Sequence, residues 1–312
     1  MIRRYPSILD RPASQYVFSC TMMKKIPFKT LRHALTVPAI KLVVFAAAVT
    51  PRPVSRFSAS VLGKLLSFLP LPSNRIIQKH RPGIMKENSI SVTTAEIYTS
   101  ILTGFFDFFY LSYRSDKTFR KMVAVKGSKN MEQALSYNRG VIAVTAHFGP
   151  WELLPRAMKL LGFDIGVVGR SLSQKGATEV LNKLRQKPGI QTIDRNAGAG
   201  PLLRLLRKNK TLGMLIDQNT RGVQSEFIAF MGHAARTPVA PAILSRKLGV
   251  PVVTMHITRQ KDSTYLLEID EPLFFSREDS VSNVLTVLNE RICQWILDSP
   301  EQWVWFHDRW RK

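Results

Sequence analysis

Cysteine is nearly absent from this chain. Only Cys20 and Cys293 occur among 312 residues, far apart and outside any C-x-x-C pairing. That argues against a disulfide framework or a cysteine-built zinc site and points to a reducing, cytoplasmic setting. Acidic side chains are scarce too: 22 Asp and Glu stand against 45 Lys and Arg, a net charge of +23. Long apolar runs are missing. The strongest, Val37 to Thr50, holds Lys41 and stops at Pro51, short of the roughly 20 residues needed to span a bilayer. The first 30 residues lack the unbroken apolar stretch and small-residue cleavage site of a secretory signal, and are expected to form a disordered leader. There is no internal repeat, no low-complexity tract and no G-x-S-x-G nucleophile elbow.

The charge that is present is unevenly spread. Residues 1–86 carry fifteen Lys or Arg and one acid, Asp10, so they hold +14 of the net charge. Such a segment is drawn to an anionic surface, either membrane headgroups or nucleic acid. Val54, Phe57, Val61, Leu62, Leu65, Leu66 and Leu69 fall on one helical face, with Arg56, Ser60, Lys64 and Ser67 on the other. By pattern alone this is equally a helix lying in a membrane interface or one packed on a domain. The basic surroundings favour the membrane, with anionic lipids as partners and no nucleic acid; a basic nucleic-acid-binding protein is the rival of a different class. The expected organisation is a leader at 1–30, membrane-associating helices at 31–86 and one catalytic domain at 87–312.

From about Asn130 onward, short apolar runs alternate with helical stretches. Strands are expected at 141–146, 164–169, 190–193 and 211–216, with helices near 131–137, 151–161, 177–186 and 201–207. Gln224–Phe230 alternates as an edge strand does; a helix at 238–248, strands at 252–257 and 265–269, and a helix at 281–297 follow. The alternation predicts an α/β fold, a mostly parallel mixed sheet flanked by helices. Ile97–Tyr110 is an aromatic-rich helix candidate, suited to a core or to the lining of an apolar ligand site.

Chemistry concentrates where the first of these strands ends. Gly140-Val-Ile-Ala-Val-Thr-Ala-His147-Phe-Gly-Pro-Trp-Glu152 puts an imidazole at the carboxyl end of a buried strand, followed at once by a turn and a helix. Ligands collect at that edge of open α/β sheets. His147 is the expected general base, and Glu152, in the first helical turn, is expected to fold back and orient its ring. Arg170 closes the next strand and should project at the same edge. Asp217 and Gln218 close the strand at 211–216, where an Asp commonly makes an Asx turn. Arg185 sits on the intervening helix, where an arginine is usually solvated.

The segment Ala146-His-Phe-Gly-Pro-Trp-Glu-Leu153 resembles the H-x4-[DE] signature of the glycerolipid and lipid A acyltransferases, in the form carried by the late acyltransferases of lipid A biosynthesis. Leu215-Ile-Asp217-Gln-Asn219, the strand Gln224–Gly232, Arg236–Pro241, Gly249-Val-Pro251 and the closing Glu301–Trp310 run are similar to its later blocks, in order, over roughly residues 40–312. Pro150 and Asn219 depart from the residues frequent there, and the F-P-E-G-T-R block of lysophosphatidic acid acyltransferases is missing. The resemblance implies transfer of a fatty acyl group from acyl carrier protein thioester to a hydroxyl of a lipid A precursor or related glycolipid, at the cytoplasmic face of an inner membrane, by a peripheral or monotopic enzyme. A lysophospholipid or other glycolipid O-acyltransferase of the same fold is the near alternative. His147 and Glu152 would be catalytic, Arg170, Arg185, Asp217 and Gln218 substrate-binding. Neither a cofactor nor a metal is implied.

Overall fold

A computed structural model describes residues 28–169, 180, 182–185, 188–220 and 222–311. Four helices come first: α1 (Phe28–Val49), α2 (Arg52–Phe68), α3 (Pro72–Asn88) and α4 (Thr94–Ser112). The α/β body follows as α5 (Asp116–Met122), β1 (Val123–Lys126), α6 (Ser128–Ser136), β2 (Val141–Thr145), α7 (Leu154–Leu160), β3 (Ile165–Gly169) and β4 (Gln191–Asp194). It continues through α8 (Ala199–Arg207), β5 (Thr211–Leu215), β6 (Ser225–Phe230), β7 (His233–Pro238) and α9 (Ala240–Leu248) to β8 (Val252–Arg259), β9 (Tyr265–Ile269) and α10 (Val281–Asp298).

Seven strands form one sheet in the order β1-β9-β8-β2-β5-β3-β4, parallel throughout except for the β8–β9 pair. The expected mostly parallel sheet is therefore observed. Its centre is β2, whose five residues are all buried, because a strand covered on both faces by helices has no solvent side on which to place polar residues. Ile142, Val144 and Ala146 enter one core cluster with Leu288 and Ile292, while Val141 and Ala143 enter the other with Met131 and Met158. The period of two thus splits one strand between two cores.

Three strands depart from the sequence reading. Residues 123–126 form β1, too short a run to be seen after the helix that precedes it. β6 does not join the main sheet; it pairs with β7 alone, Phe230 opposite His233 across the two-residue turn Met231-Gly232. Both turn residues have positive φ, 52° and 80°, the geometry that closes a two-residue hairpin. The hairpin rests on α10, where Asn289 Nδ2 donates to Ala229 O at 3.0 Å and to Thr237 Oγ1 at 3.2 Å.

Helix α2 inverts the usual arrangement. On α2 the buried residues are the small ones, Ser55, Ala59 and Gly63, and they face α4. A Cβ on Gly63 would stand 2.3 Å from Thr99 Oγ1 and 2.8 Å from its backbone nitrogen, so only glycine allows this approach. The apolar stripe read from the sequence points outward, with Phe57 72% and Leu65 57% exposed; only Leu66 of that stripe packs on the core. Leu42, Phe45 and Val49 on α1 are exposed as well. Among the described residues, no helix is long and apolar enough to cross a membrane.

A buried ionic clasp anchors α2. Arg52 Nε and Nη2 donate to Asp107 Oδ1 and Oδ2 of α4 at 2.9 and 2.8 Å, and Tyr265 Oη of β9 donates to the same carboxylate. Arg52 and Arg56 both reach Ser263 O in the β8–β9 turn, at 2.7 and 3.0 Å.

Candidate active site

The register of the sheet builds the site. β2 and β5 pair in parallel with Thr145 opposite Leu215, so His147 and Asp217, each two residues further on, emerge side by side. From these ends the chain departs in opposite directions: β2 leads past β5 to β3, while β5 leads through the hairpin to β8 on the far side of β2. The crevice at such a switch point is where open α/β sheets place their ligands.

Asp217 is 1% exposed and fully engaged. Its Oδ1 lies 2.8 Å from His147 Nδ1, and its Oδ2 accepts the His147 backbone N–H at 3.0 Å and the Trp303 indole N–H at 2.9 Å. Burial works to raise the carboxyl, but the charge of His147 and these hydrogen bonds outweigh it and hold Asp217 below the usual carboxylate range. An ionised carboxylate only accepts, so the proton between the two side chains sits on Nδ1. The ring meets Trp151 edge-on at 5.2 Å.

The turn that follows requires glycine at 149. Its φ is +57°, and a Cβ there would lie 1.9 Å from Ile257 O, while its N–H donates to Gln302 O at 2.8 Å. Trp151–Leu153 then form a single 3-10 turn.

The Glu152 side chain pairs with Arg185, not with the His147 ring: Arg185 Nε donates to Oε2 at 2.9 Å and Nη2 to Oε1 at 2.5 Å. The carboxylate on the His147 ring is that of Asp217, a residue assigned from the sequence to substrate contact. Arg185 is not a solvated surface arginine: its side chain is 16% exposed and paired face to face with that of Glu152. The pair borders a cavity of about 220 Å³ whose apolar walls include Phe108, Phe119, Leu153 and Leu184, with Arg156 and Lys159 beside them. Gln218 follows Asp217 half-buried, its carbonyl accepting from Thr220 Oγ1 at 3.4 Å. Arg170 lies outside the described residues.

The closing segment also reaches the site, which the sequence reading did not foresee. His307 is bonded to the Asn219 backbone, and burial pushes its imidazole below the ordinary histidine range; its Nε2 is buried with no hydrogen-bond partner. Arg309 is fully buried, donates to Thr237 Oγ1 at 2.8 Å, and is pushed down to about 10 by burial. Among the described residues no group of three or more His, Cys, Asp or Glu is placed to hold a metal ion.

The sequence profile of the bacterial lipid A biosynthesis acyltransferases matches residues 21–312, nearly the whole chain. The chain belongs to that family. Among curated relatives, a lipid A biosynthesis palmitoleoyltransferase from Escherichia coli (strain K12) and a lipid A biosynthesis acyltransferase from Shigella flexneri are each 28% identical over 198 residues. Those residues make up 63% of this chain and 64% of each relative, so the chain spans just under two thirds of the length of the relatives it matches. The family match reaches further towards the N-terminus than the resemblance read from the sequence, which covers roughly residues 40–312.

Proposed function

We propose that this protein transfers a fatty acyl group from an acyl carrier protein thioester to a hydroxyl of a lipid A precursor, with His147 as the general base. The observation that carries the reading is the Asp217–His147 pair at the switch point, with Nδ1 held at 2.8 Å and, among the described residues, no hydrogen bond on Nε2. As the acceptor hydroxyl attacks the thioester carbonyl, Nε2 takes its proton and a tetrahedral oxyanion forms. Collapse of that species breaks the carbon–sulfur bond, and the imidazolium returns the proton to the departing thiolate. Asp217 stabilises the positive ring between the two transfers. The cavity beside Glu152 and Arg185 has apolar walls suited to an acyl chain.

Membrane contact follows from the outer face of α1 and α2. Phe57, Leu65 and Phe68 are exposed there, with Lys41 and Lys64 also exposed on these helices. Such a surface rests in the interface of an anionic leaflet without crossing it, giving peripheral association with the cytoplasmic face of the inner membrane. The excess of basic charge also suits the acidic surface of an acyl carrier protein.

The test uses purified protein, acyl carrier protein thioester and lipid A precursor, with product read by mass spectrometry. His147→Ala should lower turnover about 10²–10⁴-fold while leaving the fold intact. Wild-type turnover in folded His147→Ala would reject the base, and a preference for lysophosphatidic acid would reject the acceptor.

A further inference from the structure

Residues 300–311 have no part in the chemistry above, yet they cross the catalytic edge from one side to the other. Gln302 O accepts from Gly149 N at 2.8 Å, Val304 N donates to His147 O at 3.2 Å, and Arg311 O accepts from Asn219 Nδ2 at 2.6 Å. The strap is thus bonded to the segments leaving both β2 and β5. Midway along it Trp303, 1% exposed, gives its indole N–H to Asp217 Oδ2. The indole itself is fixed by rings on three sides, Trp305 at 5.0 Å, Phe230 at 5.5 Å and Trp310 at 6.0 Å.

We propose that Trp303 is a positioning residue for the acyl transfer: its indole N–H fixes the Asp217 carboxylate and tempers its pull on the protonated form of His147. The inference rests on His147 being the base. With one donor on Oδ1 and two on Oδ2, the carboxylate cannot rotate, and its plane dictates the plane of the imidazole. A donor also draws off part of the carboxylate's charge. Without that donor the full charge falls on His147, the imidazolium is favoured, and the free base survives only at higher pH. Among the described residues, His307 and Arg309 on the same strap also act on Asp217, and His307 acts on His147 as well.

Trp303→Phe keeps an aromatic ring and removes the N–H. Trp305→Phe is the matched control, because Trp305 is equally buried and donates to Pro300 O at 2.7 Å instead. In the full chain, the acid limb of kcat against pH should move upward by about half to one pH unit in Trp303→Phe. On that limb this is a fall of about three- to tenfold at fixed pH, with a smaller fall on the plateau and KM unchanged. In Trp305→Phe the limb should stay in place. Partial unfolding lowers the amplitude of a profile and not its midpoint, so a packing role alone does not move it. A Trp303→Phe limb that coincides with wild type overturns the proposal, as does an equal shift in Trp305→Phe. If Trp303→Phe does not fold, the wild-type indole N–H resonance is followed instead, assigned by phenylalanine variants of the other four tryptophans. It should titrate at the midpoint of the acid limb; a resonance independent of pH overturns the inference. His147→Ala separates the two levels, since full activity there removes the base reading, whereas an inactive His147→Ala with an unmoved Trp303→Phe limb removes only the role of Trp303.

Discussion

The catalytic edge and the N-terminal helices break the ordinary rule of burial in opposite directions. At the edge, polar groups are inside: Asp217, Asn219 and Arg309 are almost wholly buried, and the Asp217 carboxylate oxygens are both taken by donors that only this fold brings together. On α2 apolar groups are outside, with Phe57 and Phe68 exposed while Ser55, Ala59 and Gly63 are buried. A buried polar cluster and an exposed apolar face are each more informative than a correctly sorted residue. Here the first marks where charge is held in place, and the second is the face proposed to meet the membrane. Their junction is the Arg52–Asp107–Tyr265 clasp, which ties the outward-facing helix to the hairpin β8–β9.

If the two regions are separable, each can be broken without disturbing the other. The largest effect is expected at the edge. Asp217→Asn removes the charge that holds the imidazole and offers a donor where only an acceptor serves, so kcat should fall about 10²–10³-fold, with liposome binding unchanged. Stability should respond in a defined pH window. Because Asp217 in the folded protein lies below its ordinary value, its ionised form stabilises the fold above about pH 4, and that contribution is lost as pH falls through the folded value. Urea titrations between about pH 2 and 6 should show this acid-dependent loss in wild type and a flatter dependence in Asp217→Asn. A variant that loses liposome binding along with turnover would mean the two regions are one cooperative unit.

The opposite perturbation is the next largest. Burying Phe57 and Leu65 in lipid is worth about 1.5–3 kcal/mol each, so Phe57→Asp with Leu65→Asp should weaken partitioning onto anionic liposomes by at least about 100-fold. Both side chains are already in water, and the melting temperature of the lipid-free protein should hardly move. Turnover on detergent-dispersed acceptor should persist. Sedimentation of the double variant with liposomes as wild type would place the membrane contact elsewhere.

Much of this arrangement is legible in the sequence, and the parts that are not share a cause. β2, β5 and β8 can be read because buried parallel strands are continuous apolar runs ended by turn residues. His147 and Asp217 stand out as polar residues at such ends. The helical face of α2 is equally legible, but not its direction, since periodicity defines a stripe without saying which stripe meets the protein; the small residues Ser55, Ala59 and Gly63 are the signal that decides it. β7 is obscured by its polar character and by Pro238 at its end. The partners of Glu152 and Asp217 come from residues 33 and 70 positions away for Arg185 and His147, and from Trp303 at 86. No local pattern encodes such distances. An H-x4-E spacing invites a pairing within the turn, whereas the Glu152 carboxylate is held by Arg185.

The smallest effect tests that last point. Were Glu152 the partner of His147, Glu152→Gln would act like Asp217→Asn, lowering kcat and moving the acid limb. Paired instead with Arg185 at 2.5–2.9 Å, it should act through the wall of the cavity. Glu152→Gln keeps the shape and one acceptor while removing the charge that compensates a largely buried guanidinium. The cost should be about 1–3 kcal/mol in stability, below the range for deleting one member of a fully buried pair because Arg185 retains some access to water. Arg185→Met should cost a similar amount, and the double variant Glu152→Gln/Arg185→Met should cost less than the sum of the two, since residues in direct contact couple. Turnover should fall about tenfold or less in each variant, with the acid limb where wild type has it. A double-variant cycle with no coupling, or an acid limb displaced in Glu152→Gln, would return Glu152 to the imidazole and make the pairing with Arg185 incidental.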